Sequence, residues 1–337
     1  MQRIIGVLAL LAIMYGMLYA VNPKAFNHSN QQDVLSQQAF YGILTLGIGV
    51  VIITGGIDLS MGSVIGFAGM LFGALVKNGM GPIAAMLIVL LAGILIGLIH
   101  GLFITQMRLQ PFLVTLCGMF IYRGLARIIG NGSTIGLETL AKTNPSSQKQ
   151  LDWLRQILVG KDIEGNLNFP SQLIVLLIVF AVLGLVLHFS IYGRYWYAIG
   201  HNELAARYAG IQTKRQKISV YIICSFLSAL GGILSMCYYG SANPENTGVT
   251  LELYAITGAV LGGCSLRGGE GTVIGMVLGG AVLPLLKNLI NFSASKEWVR
   301  NLIPNMDAVI PVIIGLTLLL GTLIDETLRR RSQTRKE

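Results

Sequence analysis

The sequence predicts an all-α polytopic membrane protein with about ten transmembrane helices. Hydrophobic residues make up 53% of the 337 residues and charged residues only 12%, whereas soluble domains carry about 25% charged residues. The apolar residues come in long runs, and a run of about 20 spans a bilayer as a helix. The runs are apolar on every face, which indicates helices and not the alternating strands of a membrane barrel. We therefore expect lipid around the chain, and we exclude soluble enzymes and nucleic-acid-binding proteins.

Ten apolar runs define the expected helices. They cover residues 4–21, 39–54, 61–76, 83–105, 111–129, 172–189, 218–239, 253–265, 272–286 and 308–324. The first run also resembles a secretory signal peptide, but its 18 uninterrupted apolar residues are long for one and no clear cleavage site follows. We expect it to be retained as the first helix, with cleavage as the alternative.

Lysine and arginine residues between the runs predict the orientation, because they are enriched in cytoplasmic loops. With ten helices, the distribution of lysine and arginine places both termini in the cytoplasm. This orientation depends most on the basic tail at residues 325–337. The chain 1–337 then forms a single membrane domain. A hydrophilic stretch at 130–171 lies outside and contains a short helix near residues 151–158, and a polar segment at 190–217 lies in the cytoplasm.

Two glycine-rich sequences interrupt the helices, near residues 55–62 and 262–272. Interrupted helices of this kind commonly form the binding site of a transporter. In the first, Asp58 and Ser60 directly precede a helix, where side-chain oxygens cap free backbone N–H groups. A carboxylate within a membrane is costly and usually has a task, so Asp58 either only caps the helix, contacts a transported solute, or relays a proton. The polar residues expected on a substrate path are Thr54, Asp58, Ser60 and Ser63.

The sequence offers no support for catalysis or for a bound cofactor. The nucleotide-binding pattern GxxxxGK followed by Ser or Thr is absent from the chain. The four cysteines show no paired CxxC spacing, and we expect them to be buried and inert. The histidines are scattered and suggest no metal site. We therefore expect a protein that is not an enzyme.

A short polar helix is predicted within the segment 190–217. Asn202 would cap it, Glu203 would complement its dipole and Gly210 would end it. Glu203 and Arg207 are four residues apart, so they would lie on one face and pair with each other or with a partner.

Three sequences of the chain resemble one known family. Residues 55–64, GGIDLSMGSV, resemble the GGIDLSVGS signature of the permease subunits of bacterial ATP-binding-cassette importers for monosaccharides of the ribose, xylose and galactose type, with Met61 in place of the usual Val. Residues 197–211 are similar to that family's AIGGN-x-x-AA…GI segment, and residues 265–275 to its SLxGGxGTVxG segment. The resemblance extends from about residue 35 to 325. The 42-residue stretch at 130–171 and the connection at 292–307 depart from the pattern.

The resemblance implies an importer subunit in the bacterial cytoplasmic (inner) membrane. A second permease, identical or different, would pair with it, and an extracytoplasmic sugar-binding protein would deliver a monosaccharide. Two ATPase subunits would bind ATP and Mg²⁺, while this chain binds no cofactor. Residues 199–211 would form the coupling helix that docks on the ATPase. The coupling residues would be Asn202, Glu203, Ala205, Ala206, Arg207 and Gly210.

Two other classes of membrane protein compete with this interpretation. The first is an ion-coupled secondary transporter of a small neutral solute, which would carry paired membrane carboxylates or histidine relays. From the sequence, only Asp58 qualifies as such a group. The second is a membrane enzyme, for which the sequence contains no catalytic constellation.

Overall fold

The computed structural model describes residues 2–137, 145–161 and 166–294, together with residues 296, 309, 311–313, 315, 316 and 319. Helices dominate this part of the chain. They are α1 (Gln2–Val21), α2 (His28–Ile53), α3 (Met61–Lys77), α4 (Pro82–Thr105), α5 (Pro111–Gly130), α6 (Pro145–Val159), α7 (Gln172–Gly184), α8 (Ile191–His201), α9 (Glu203–Tyr208), α10 (Thr213–Tyr239), α11 (Leu251–Leu261) and α12 (Val273–Ala294). A π-helical turn, Leu185–Phe189, continues α7, and a short 3₁₀ helix, Pro23–Phe26, precedes α2.

Nine of the ten expected spans are present as helices. Seven of them are long and apolar enough to cross a membrane, namely α1, α2, α4, α5, α7 with its continuation to Phe189, α10 and α12. The helices α3 and α11 are apolar but shorter, with 17 and 11 residues. The tenth expected span, 308–324, lies mostly outside the described residues, as does the whole basic tail at 325–337. The all-α membrane fold is confirmed.

The long helix α10 lies at the centre and packs against α2, α3 and α4. The contact with α4 is close because α4 presents Gly93, Gly97 and Gly101 toward it. A Cβ atom added to Gly97 would collide with the backbone of Tyr221 and Ile222. Such contacts of small residues let helices associate where lipid supplies no hydrophobic force. Three of the four cysteines are buried, as expected, while Cys117 on α5 is exposed.

The first helix belongs to this bundle. Buried apolar side chains of α1, among them Met14 and Leu18, pack with Leu285 and Leu289 of α12. The first apolar segment therefore contributes to the helical core, and its retention in the mature protein stays a prediction.

The two ends of α10 mark opposite ends of the bundle, since 27 residues of helix extend about 40 Å. At its N-terminal end lie α8 and α9, and we call this the α9 end. At its C-terminal end, strand β2 (Ser241–Ala242) pairs antiparallel with β1 (Ile135–Gly136), and we call this the β2 end. The helix α6, which contains the expected segment 151–158, also packs at this end, where Arg155 Nε donates a hydrogen bond to the Cys237 carbonyl oxygen at 3.2 Å.

Candidate functional site

The two interruptions of the helices meet at the α9 end. One separates α2 from α3 between Ile53 and Met61, and the other separates α11 from α12. The Gly269 N–H donates a hydrogen bond to the Ile53 carbonyl oxygen at 2.8 Å. A Cβ atom on Gly268 would collide with the backbone of Gly55. The predicted interruptions are therefore confirmed, and they form one contact that the sequence did not indicate.

The helix α8 rests on both interruptions at once. A Cβ atom on Gly200 would collide with the Ile53 carbonyl oxygen and with the backbone of Gly269. The Tyr197 hydroxyl donates a hydrogen bond to the Gly271 carbonyl oxygen at 2.7 Å. Burial, with a smaller contribution from Cys264, raises the pKa of Tyr197 to about 12, so the phenol stays protonated and remains a donor. Any displacement of α8 must therefore move both interruptions.

The short helix α9 follows α8 directly, as the capping residues predict. The Asn202 side chain accepts a hydrogen bond from the Ala205 N–H at 3.0 Å, and Gly210, with φ of +85°, ends the helix. The helix covers residues 203–208 and not the expected 199–211, because the extended backbone of Asn202 separates it from α8.

Charged side chains fix α9 against the start of α10. The Glu203 carboxylate pairs with Arg207 at 3.5 Å, as the spacing predicts, and also with Lys217 at 2.5 Å. On the adjacent face, about 100° around the helix, Leu204 is 62% and Tyr208 89% exposed. This exposed apolar pair was not singled out from the sequence, although its spacing of four residues places both on one face.

The burial of Ala206 corrects one expectation. The sequence analysis assigned its side chain to a contact with a partner, whereas the structure leaves it only 5% exposed, packed within the chain. Of the two alanines, Ala205 is the exposed one.

The four residues expected on a substrate path are all buried. The Thr54 hydroxyl donates a hydrogen bond to the Val51 carbonyl oxygen at 2.8 Å, and the Ser63 hydroxyl donates one to the Ser60 carbonyl oxygen at 2.6 Å. The hydroxyls of Thr54 and Ser63 therefore donate to backbone carbonyl oxygens at the end of α2 and at the start of α3. Their place on a substrate path stays a prediction.

Asp58 closes the turn before α3. One of its oxygens, Oδ1, accepts hydrogen bonds from the Ser60 N–H at 2.8 Å and the Ser60 hydroxyl at 2.6 Å. The other oxygen, Oδ2, is buried and has no hydrogen-bond partner among the described residues. Two aromatic side chains beside it, His100 and Tyr122, are joined by a hydrogen bond of 3.1 Å. Asp58 therefore fixes a turn with one oxygen and presents the other to a buried polar cluster.

A second buried carboxylate lies nearby, contrary to the expectation that Asp58 is the only one. Glu252, in the first turn of α11, is 8% exposed. Its carboxylate lies against Gly62, where a Cβ atom would collide with it. Arg123 lies within electrostatic range of Glu252. The sequence analysis missed Glu252 because it immediately precedes the apolar run 253–265.

A cavity of about 370 Å³ opens at the β2 end. Its walls come from α2, α10, α11, α12 and the connection 241–250. The aromatic side chains of the lining are Phe40, Tyr41, Tyr239 and Tyr254, and its amide side chains are Asn243 and Asn246. Aromatic faces combined with a few polar groups are typical of a small-molecule site. The cavity could not be predicted from the sequence, because its described walls come from five separate parts of the chain.

The connection 241–250 is held firmly in place. The Asn243 side chain accepts hydrogen bonds from the N–H groups of Glu245 at 2.8 Å and Asn246 at 3.1 Å. Gly248 lies so close to α3 that a Cβ atom on it would collide with the backbone of Gly62 and Gly66. Gly62 and Gly66, in the first turns of α3, thus make room for one wall of the cavity.

Comparison with known proteins gives matches over most of the chain. Residues 30–323 match the model of the family described as the permease component of branched-chain amino acid transport systems. The chain is 31% identical to the ribose import permease protein RbsC of Escherichia coli (strain K12), over 96% of this chain and 92% of that protein. It is 32% identical to the ribose import permease protein RbsC of Bacillus subtilis (strain 168), over 90% and 87%.

A relative named for a different sugar matches at the same level. The chain is 31% identical to the fructose import permease protein FruF of Bifidobacterium longum (strain NCC 2705), over 83% of this chain and 75% of that protein. No solved structure gives a significant match to the chain.

We expect Asp58→Asn to fold, because an amide oxygen accepts the same two hydrogen bonds from Ser60. Asp58→Leu removes the acceptor and leaves the buried N–H and hydroxyl of Ser60 unpaired, which costs about 1–3 kcal/mol for each group. Thermal unfolding of the purified proteins in detergent measures the difference, with the Asn variant near the parent and the Leu variant well below it. Equal destabilisation of both variants would mean that the charge of Asp58 holds the turn, and not its hydrogen bonds.

Proposed function

Because the chain belongs to the family of permease components described for branched-chain amino acid transport systems, we propose that it is the membrane-spanning subunit of an ATP-binding-cassette importer for a monosaccharide. Full-length relatives named for ribose and fructose import support this choice. The cavity at the β2 end is the observation that carries it, since aromatic rings pack against the faces of a sugar and amides bind its hydroxyls. Of the cavity lining that the structure describes, no residue is acidic, so none of these side chains would pair with the α-amino group of an amino acid.

The energy for transport comes from separate ATPase subunits, which bind ATP and Mg²⁺. The chain itself carries no nucleotide-binding sequence. The α9 end faces the cytoplasm, and the ATPase docks on α9 through Leu204, Tyr208 and Arg207. Tyrosine and arginine are the residues that most often dominate binding energy at protein interfaces, and the apolar pair of α9 is exposed.

Movement of α9 reaches the membrane helices through α8. The helix α8 contacts Ile53, Gly269 and Gly271. A displacement of α9 therefore displaces the C-terminal end of α2 and the start of α12 together. The β2 end faces the outside and receives the sugar from an extracytoplasmic binding protein. A second permease subunit, identical or different, completes the path.

Reconstitution in proteoliposomes with the cognate ATPase and binding protein tests this function. We expect uptake of labelled ribose, fructose or another monosaccharide that requires ATP and persists when a protonophore dissipates the proton gradient. Leucine serves as the matched solute that should not enter. Uptake driven by a proton or sodium gradient without ATP would favour the ion-coupled alternative, and leucine uptake would overturn the choice of sugar.

We expect Tyr208→Ala to weaken docking of the ATPase, because it removes an exposed anchor of α9 without disturbing the core. Loss of an interface anchor costs ~2 kcal/mol or more, which is about 30-fold in affinity. Co-purification of the ATPase with the tagged permease measures the effect. Ala206→Trp is unsuitable, since that side chain is buried and a bulkier one would disturb the fold.

Trp153→Ala provides the control for Tyr208→Ala. Trp153 is also an exposed aromatic residue, 53% exposed, and it lies on α6 at the β2 end. The control variant should retain the ATPase. Equal retention by Tyr208→Ala and Trp153→Ala would contradict the assignment of α9 as the docking site.

A further inference from the structure

Lys287 introduces a positive charge into the wall of the cavity at the β2 end. It lies on α12, and its Nζ donates a hydrogen bond to the Tyr41 hydroxyl at 2.8 Å. The same nitrogen is 5.2 Å from the centre of the Tyr41 ring and 4.7 Å from the centre of the Tyr254 ring. The two aromatic residues therefore hold the ammonium group at a defined place beside the cavity.

This lysine has no carboxylate partner within the described parts of the chain. Arg127 pairs with Glu245, and Arg207 and Lys217 pair with Glu203, so none of these ion pairs includes Lys287. On the neighbouring helices, Asp33 of α2 accepts a hydrogen bond from the Tyr238 hydroxyl at 2.8 Å, and the Glu252 carboxylate of α11 lies against Gly62 and within electrostatic range of Arg123. A charge inside a membrane protein is normally paired or lines a path for a charged or polar solute. The aromatic rings offset only part of the cost of the lysine charge.

We propose that the cavity takes a monosaccharide bearing a carboxylate, a sugar acid of the hexuronate class, and that Lys287 pairs with that carboxylate. The proposal rests on the proposed function for the choice of a sugar. One N–H of the ammonium group goes to Tyr41, which leaves two for a carboxylate. Among the described residues, a neutral sugar would leave Lys287 without a carboxylate partner, whereas a sugar carboxylate forms a charge-assisted hydrogen bond with it.

The rest of the cavity fits the remainder of such a ligand. The Asn246 side chain offers a donor and an acceptor for sugar hydroxyls, the Thr250 hydroxyl, which donates to the Val249 carbonyl oxygen at 2.6 Å, can accept a hydrogen bond, and Tyr254 offers an aromatic face beside Lys287. An amino acid also carries a carboxylate, but none of the described residues that line the cavity is acidic and could hold its ammonium group. The combination of one cation, aromatic faces and neutral polar groups thus selects a hydroxylated anion.

Protection of Lys287 from chemical modification tests the proposal on the unaltered permease. The purified protein is reductively methylated with formaldehyde and cyanoborohydride, and each lysine is followed by mass spectrometry. Galacturonate should slow methylation of Lys287 several-fold, while galactose at the same concentration should not. Lys24 is the internal control, since it is exposed and does not line the cavity. Equal protection by both sugars, or protection of Lys24 together with Lys287, would overturn the proposal.

Transport by the complete reconstituted importer gives the second test. Lys287→Met should lower ATP-dependent uptake of the sugar acid by about tenfold or more, the effect of losing a charge-assisted hydrogen bond, and Lys287→Arg should retain most of it. The control Lys24→Met removes the same charge at a distance from the cavity and should transport normally. Undiminished uptake by Lys287→Met would refute the role of the lysine.

The two tests separate this proposal from the proposed function. Absence of ATP-dependent uptake of any sugar would remove the proposed function, whereas the methylation experiment needs neither ATP nor partners. If Lys287→Met fails to fold, the methylation experiment on the unaltered permease decides whether Lys287 binds the sugar acid. Uptake restricted to neutral sugars, without protection of Lys287 by galacturonate, would leave a sugar importer and overturn only the choice of a sugar acid.

Discussion

The structure of the α9 end depends on direct contact between three backbone segments, in α8, at the end of α2 and before α12, where glycine residues leave no room for side chains. The Gly200 backbone of α8 lies against Ile53 at the end of α2 and against Gly269 before α12, with no room for a side chain. Within a membrane, lipid is as apolar as the helices, so association depends on close packing and on hydrogen bonds. Glycine permits both here, because its backbone approaches closely enough for the Gly269 N–H to bond the Ile53 carbonyl oxygen. A rigid three-way contact results.

This contact is connected to the cavity at the other end by two helices. The helix α3 begins just after the first interruption, and its Gly62 and Gly66 seat the connection 241–250 that lines the cavity. The helix α12 begins just after the second interruption and carries Lys287. A displacement of both interruptions by α8 would therefore move two walls of the cavity together, which is the physical route that the proposed function requires between ATPase docking and release of the solute.

Local features of the structure could be predicted from the sequence, and contacts between distant segments could not. Apolar runs located nine helices, and the Asn202 cap and the Glu203–Arg207 pair followed from spacing within one or two turns. Whether Ala206 is buried depends on which face of α9 packs against the neighbouring helices. The sequence of a helix with only six residues does not identify that face. Glu252 and Lys287 each adjoin the end of an apolar run, so their sequence positions suggested charges at the ends of membrane helices. The packing of the helices instead buries Glu252 and directs Lys287 toward the cavity.

The central claim is that α8 drives both interruptions through its contact at Gly200. Gly200→Ala introduces one methyl group where no space exists, and Gly124→Ala is the matched control, since a Cβ atom there meets nothing within 4 Å. The decisive measurement is sugar uptake per ATP hydrolysed by the reconstituted importer. We expect Gly200→Ala to retain its ATPase and to hydrolyse ATP while transporting about tenfold less sugar or worse, because overpacking a close contact costs about 1–3 kcal/mol and about 1.4 kcal/mol corresponds to tenfold. We expect Gly124→Ala to behave as the parent. Normal uptake per ATP in Gly200→Ala would contradict this account.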